Sequence, residues 1–188
     1  MGAPPFVLIK KPASKIFGMF CLVIWLFFSA SDCPAQTGPT EHQIKAAFLY
    51  NFAKFVDWPA AANASSDSPI TIGVLGENVF HDDITTVIHG KNINNHPLQF
   101  HQCSSIEEAT NCQILFISPS EQKHFTQIIE ELHHASILTV SETDQFIEDG
   151  GMIDFVVVEK KVRFQINNDA AKKAGLTISS KLLSLAVK

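Results

Sequence analysis

QILFISPSEQKHFTQIIEELHHASILTVSE (113–142) decides the fold, because an apolar run, an amphipathic segment and a second apolar run follow one another without interruption. QILFIS (113–118) and SILTVSE (136–142) have the length of buried strands, and the segment near 120–133 between them has helical spacing. Strand, helix and strand in this order make a βαβ unit, whose strands lie parallel and whose crossover is right-handed. Upstream the same alternation recurs. ITIGVLG (70–76), a helix near 79–89, PLQFHQC (97–103) and a short helix near 105–110 lead into the unit. The 103-to-113 connection is shorter than the dozen residues a parallel crossover needs, so a different arrangement of one strand pair is expected there. Downstream of Gly150-Gly151, MIDFVVVE (152–159) and VRFQIN (162–167) flank Lys160-Lys161 and read as a hairpin.

The flanks complete the plan. Thr40 and Gln43 form a capping box that opens a helix carrying Ile44, Phe48, Phe52 and Phe55 at spacings of four, four and three. Asp57-Trp58-Pro59 ends it, and 60–69 is a small, polar loop. Asn167 or Asn168 caps a helix over 169–174 that stops at Gly175, and Ser179 caps a terminal turn or two. The predicted class is α/β, a single domain with a largely parallel sheet, flanking helices and an antiparallel C-terminal hairpin at the edge.

Lys10, Lys11 and Lys15 precede the uncharged IFGMFCLVIWLFFSAS (16–31), the pattern of a secretory signal. Cleavage is expected after Ala35, with Ala30 and Ser31 as alternatives and retention as an N-terminal anchor as the competing outcome. Asp32 just before Cys33 does not suit a lipidation site. The expected division is thus 1–35 signal peptide and 36–188 domain, a soluble exported protein. With 46% hydrophobic and 18% charged residues the chain can bury a core. Its formal charge of −5 excludes a sequence-wide basic field for nucleic acid, and losing three lysines and Asp32 with the signal moves it to −7.

Two cysteines remain after that cut, Cys103 and Cys112. In an oxidising compartment a bridge between them is the default. The competing consideration is that a strand ending near Cys103 and a helix before Cys112 can place them at opposite ends of a crossover, beyond the roughly 4.4–6.8 Å Cα separation of a disulfide.

Chemistry finds little support. Gly73-Val-Leu-Gly76 lies where a phosphate loop would, yet it has neither a third glycine nor Gly-Lys-Ser/Thr, and no Gly-x-Ser-x-Gly elbow occurs. Of the eight histidines (His42, His81, His89, His96, His101, His124, His133, His134), His96 and His101 would face opposite sides of one strand, and His133 and His134 diverge on a helix. They read as solvated residues, and no metal or other cofactor is expected. Tyr50, Phe55 and Trp58 read first as core packing, but five aromatics between Phe48 and Trp58 cannot share one direction. Tyr50 and Trp58, with polar tips, and Phe55 are candidates for a partner surface. Arg163, on the outward face of the last strand, can meet a partner carboxylate in a two-pronged contact.

AAFLYNFAKFVDWP (46–59), ITIGVLGENVF (70–80), CQILFIS (112–118), ILTVSE (137–142), GGMIDFVVVEKKVRFQIN (150–167) and AGLTISSKLLSLA (174–186) together resemble the YfiR/HmsC-like family of small periplasmic proteins. The resemblance implies a non-enzymatic regulator that binds the periplasmic sensory domain of an inner-membrane diguanylate cyclase and holds it inactive, lowering cyclic di-GMP and biofilm formation. It also implies a second partner, an outer-membrane OmpA-like lipoprotein, and leaves a homodimer open. In the family a cysteine of the first sheet strand pairs with the one matching Cys112; here that strand carries Gly73, which leaves Cys103 as the intramolecular candidate. The alternative function is a periplasmic small-molecule sensor or solute-binding module with its pocket at the carboxyl ends of the parallel strands.

Overall fold

The computed structural model describes Gly2 and residues 38–59, 68–133 and 135–187. The rest of the expected signal segment, most of the 60–69 loop and His134 lie outside the described residues. The unit described below starts at Gly38.

Helix α1 (Glu41–Phe55) starts at the capping box: the Thr40 hydroxyl accepts from the Gln43 N–H at 3.2 Å, and the Gln43 side chain accepts from the Thr40 N–H at 3.1 Å. Its buried stripe is Ala46, Leu49, Phe52 and Ala53. The chain then turns extended as β1 (Val56–Asp57), which pairs antiparallel with β9 (Thr177–Ile178) near the C-terminus. A two-residue strand has no periodicity to display, so this small sheet left no signal in the sequence.

The main sheet has seven strands: β2 (Ile70–Leu75), β3 (Asn92–Ile93), β4 (His96–Cys103), β5 (Ile114–Ile117), β6 (Leu138–Ser141), β7 (Ile153–Val158) and β8 (Lys161–Ile166), in the order β3-β4-β2-β5-β6-β7-β8. From β4 to β7 every pairing is parallel, while β3–β4 and β7–β8 are antiparallel hairpins. The α/β class and the C-terminal hairpin at the edge are therefore as expected. The β3–β4 hairpin was not foreseen; Asn94 and Asn95, at φ 50° and 71°, supply the left-handed turn that asparagine tolerates.

The short 103-to-113 connection corrects one expectation. It carries α3 (Ile106–Ala109), a single turn, and still joins parallel strands. It suffices because β4 ends opposite Leu75 of β2 while β5 starts opposite Ile72, so the chain has little strand length to climb back as it passes β2. The remaining helices are α2 (Asp83–Ile88), α4 (Phe125–Leu132), α5 (Asn168–Lys173) and α6 (Ser180–Leu183). A 3₁₀ segment (Pro119–His124) leads into α4, so the helix expected from 120 starts as a tighter turn behind Ser118, whose hydroxyl caps it.

Both faces of the sheet are covered. On β5, Ile114 and Phe116 join the core under α1 and α2, while Leu115 and Ile117 join a second core with Phe125, Ile128 and Leu132 of α4. This is why the parallel strands read as unbroken apolar runs.

Candidate functional site

Taken in chain order, the parallel strands stand as second, first, third, fourth and fifth, which puts the switch in strand order between β2 and β5. Open α/β sheets bind ligands outside the carboxyl ends of their strands at such a point. Here the protein's own groups take up part of it. The Ser120 hydroxyl accepts from the Glu77 N–H at 3.0 Å, taking the donor an anion would use. Gly76, at φ 88°, lies so close to Ser120 and Glu121 that no side chain fits there, and its carbonyl accepts from the Gln102 amide at 2.8 Å. What remains is an open, shallow depression bordered by Cys103, Ser105, His124 and Gln127.

The two cysteines approach this region from opposite ends of the sheet. Cys103 closes β4 and Cys112 precedes β5, yet their sulfurs are 3.8 Å apart. The residue that permits this is Gly73 in the middle of β2: a Cβ there would sit 2.5 Å from Cys112 Sγ and 3.1 Å from Cys103 Sγ. Burial pushes both thiols above the usual cysteine range, Cys112 the further of the two. They are poor nucleophiles in this state.

Among the described residues no group of three or more His, Cys, Asp or Glu is arranged to hold a metal ion. The described histidines have individual settings: His96 Nδ1 lies 2.8 Å from the Ser68 carbonyl, and His101 and His124 lie near Glu108 and Glu121. At the start of α1, Lys45 is buried and is bound by both Glu41 and Glu142. Desolvation opposes its charge, but the two carboxylates overcome this and hold its pKa above the usual lysine value.

The four residues singled out as a partner surface fall into two places. Tyr50 and Phe55 are half-buried on α1 and lie under cations: Lys91 Nζ is 4.2 Å and Lys54 Nζ 5.6 Å from the Tyr50 ring centre, and Lys181 Nζ is 5.2 Å from that of Phe55. Trp58 is half-buried, packs against the core and donates Nε1–H to the Gln113 carbonyl at 3.2 Å. Arg163 is exposed on β8, beside a groove reached by Ile44 and Phe48 from the first half of α1. The fifteen residues of α1 span roughly 20 Å, so Arg163 and the Tyr50–Trp58 group stand near opposite ends of the helix.

Sequence reasoning missed Lys45, Asp154 and the valines of the β7–β8 hairpin. A lysine inside an apolar helical stripe was the legible signal for the first. Asp154 interrupts the run MIDFVVV, and that interruption was the signal for the second.

The YfiR/HmsC-like family matches residues 42–187. No curated protein matches the chain. Among solved structures, a conserved domain protein from Vibrio cholerae O1 biovar El Tor N16961 superposes with a TM-score of 0.55 at 10% identity, over 79% of this chain and 60% of that one. At that identity the likeness speaks for the fold alone, and this chain spans about three fifths of the other's length. The ABC domain from Streptococcus pneumoniae, solved in complex with L-Trp, matches at a TM-score of 0.43 and 14% identity over 62% and 54% of the two chains, too distant to carry an argument. No helix among the described residues is long and apolar enough to cross a membrane.

Proposed function

The chain belongs to the YfiR/HmsC-like family, which acts in cyclic di-GMP signalling, and from that membership we propose that it is an exported, non-enzymatic repressor of a diguanylate cyclase. It binds the periplasmic sensory domain of that inner-membrane enzyme and holds it inactive. An outer-membrane OmpA-like lipoprotein, by binding the repressor, would release the cyclase. The observation that carries the reading is the extent of the family match, residues 42–187, which takes in every element from α1 to α6. The strand switch supports it, since the Glu77 N–H, a donor an anion could use there, is taken by the Ser120 hydroxyl.

Deleting the gene should raise cellular cyclic di-GMP and biofilm mass, and supplying the exported chain in trans should lower both to the parental level. Unchanged cyclic di-GMP in the deletion strain would defeat the repressor reading. A small-molecule sensor is the second reading. It is favoured by a cavity of about 210 Å³ with Ile129, Leu132, Met152 and Ala170 in its wall and Asp169 and Lys173 at its rim. A ligand there would raise the melting temperature of the purified protein without any partner present.

A further inference from the structure

Among the described residues the strongly exposed large apolar side chains are Val157 (60%) and Val158 (43%) at the tip of the β7–β8 hairpin and Leu185 (57%) in the C-terminal segment. Val157 and Val158 close β7 at the hairpin tip, and Leu185 is two residues from Val187, whose N–H donates to the Phe164 carbonyl of β8 at 2.9 Å. β8 is the last strand of the sheet. Alternate residues of an antiparallel strand turn their N–H and carbonyl to each side, so the Val187 bond identifies Phe164, and with it Val162, as facing outward. The C-terminal segment covers the edge at Phe164. It leaves the outward N–H and carbonyl of Val162 without a backbone partner among the described residues.

The two faces of this edge differ in chemistry. Val162 and Phe164 point toward α1: Phe164 is buried against Phe48, and Val162 lines a groove of about 400 Å³ with Ile44, Phe48 and Val157, which Glu41 also borders. By alternation Lys161 and Arg163 turn away from Val162, and with Lys160 at the turn they border the groove along the open edge of the strand. None of these three cations has an ion-pair partner among the described residues, although Glu159 sits beside them in the turn. Glu41 of α1, which borders the groove, and Glu142, which follows β6, are both bound to Lys45. In a chain of net charge −5, a local excess of unpaired cations along an open edge favours an anionic occupant.

We propose that the β7–β8 edge is the seat of the cyclase partner, which adds an extended segment alternating aliphatic and acidic residues alongside β8. Its aliphatic side chains enter the groove over Val157 and Phe48, its carboxylates meet Lys161 and Arg163, and its backbone completes the bonds of Val162. This rests on the repressor reading above. A second copy of the chain fits less well, because apposing two such edges brings lysine against lysine.

The test is complementation of the deletion strain with Val157→Asp, with the double variant Lys161→Glu and Arg163→Glu, and with Lys123→Glu as an exposed charge reversal on the 3₁₀ segment. Each must reach wild-type abundance and melt at the wild-type temperature. Wild type and Lys123→Glu should restore low cyclic di-GMP, whereas both hairpin variants should leave it at the deletion level. If all variants repress as wild type does, the edge assignment falls and the repressor reading stands. If wild type itself does not repress, both fall. Sedimentation of the purified chain covers the other occupant: a wild-type dimer that Val157→Asp converts to monomer would make the edge a self-interface and overturn the assignment.

Discussion

Asp154 lies on β7 with 5% of its surface exposed, and its Oδ1 has no hydrogen-bond partner. Burial raises its pKa to about 7; the Thr143 N–H works against this, and the charges of Asp144, Glu148 and Glu142 add to it. In the unfolded chain the carboxyl titrates near 3.9. The folded state therefore holds the proton more tightly, and the stabilisation this brings is complete below about pH 4 and lost as pH rises through 7. Asp154→Asn should remove that dependence and, at pH 8, stabilise the domain by about 1–3 kcal/mol. Urea melts of both proteins at pH 5 and pH 8 measure it, and a wild-type stability equal at the two values would refute the assignment. The cysteine pair makes a separate prediction. With the sulfurs 3.8 Å apart, export to an oxidising compartment should close a Cys103–Cys112 bridge. Mass spectrometry after alkylation should find two modified thiols only when reductant precedes it. The eight-residue loop should contribute somewhat under the ~3 kcal/mol expected for a longer, 15-residue one.

At the scale of elements, α1 is held at both ends. The capping box fixes its start, and the segment after it is stitched to the rest by the Ser179 N–H, which donates to the Phe55 carbonyl at 2.9 Å, and by Trp58 on the Gln113 carbonyl. Trp58 thus joins the exit of the helix to the entrance of β5. Trp58→Ala should cost roughly 3 kcal/mol through lost packing and the lost bond, while Trp58→Phe should cost about 1 kcal/mol. Denaturant melts give both values. Loss of repression by Trp58→Phe at unchanged stability would instead make this ring part of the partner surface. Phe48 links the same helix to the hairpin, with ring centres 6.1 Å from Phe155 and 5.3 Å from Phe164.

For the whole molecule, the topology determines where chemistry has room. The parallel strands between β4 and β7 are covered on both faces, and Ser120 takes up the Glu77 N–H at their switch point. The hairpin alone runs past its cover, from Asp154 buried under the 142–149 loop to Val158 in solvent.

The sequence by itself determined the α/β class, the capping of α1, the βαβ unit at 113–142 and the C-terminal hairpin, because each depends on periodicity or turn chemistry within a few residues. The family was legible for the same reason, being carried by runs such as AAFLYNFAKFVDWP and GGMIDFVVVEKK. Only the tertiary structure decided that β4 and β5 flank β2, and with that placement came the meeting of Cys103 and Cys112 over Gly73. It likewise decided that Trp58 bonds to Gln113 and stands a helix length from Arg163. These facts depend on which strands are neighbours across tens of residues, and local spacing carries no information about the order in which strands pack.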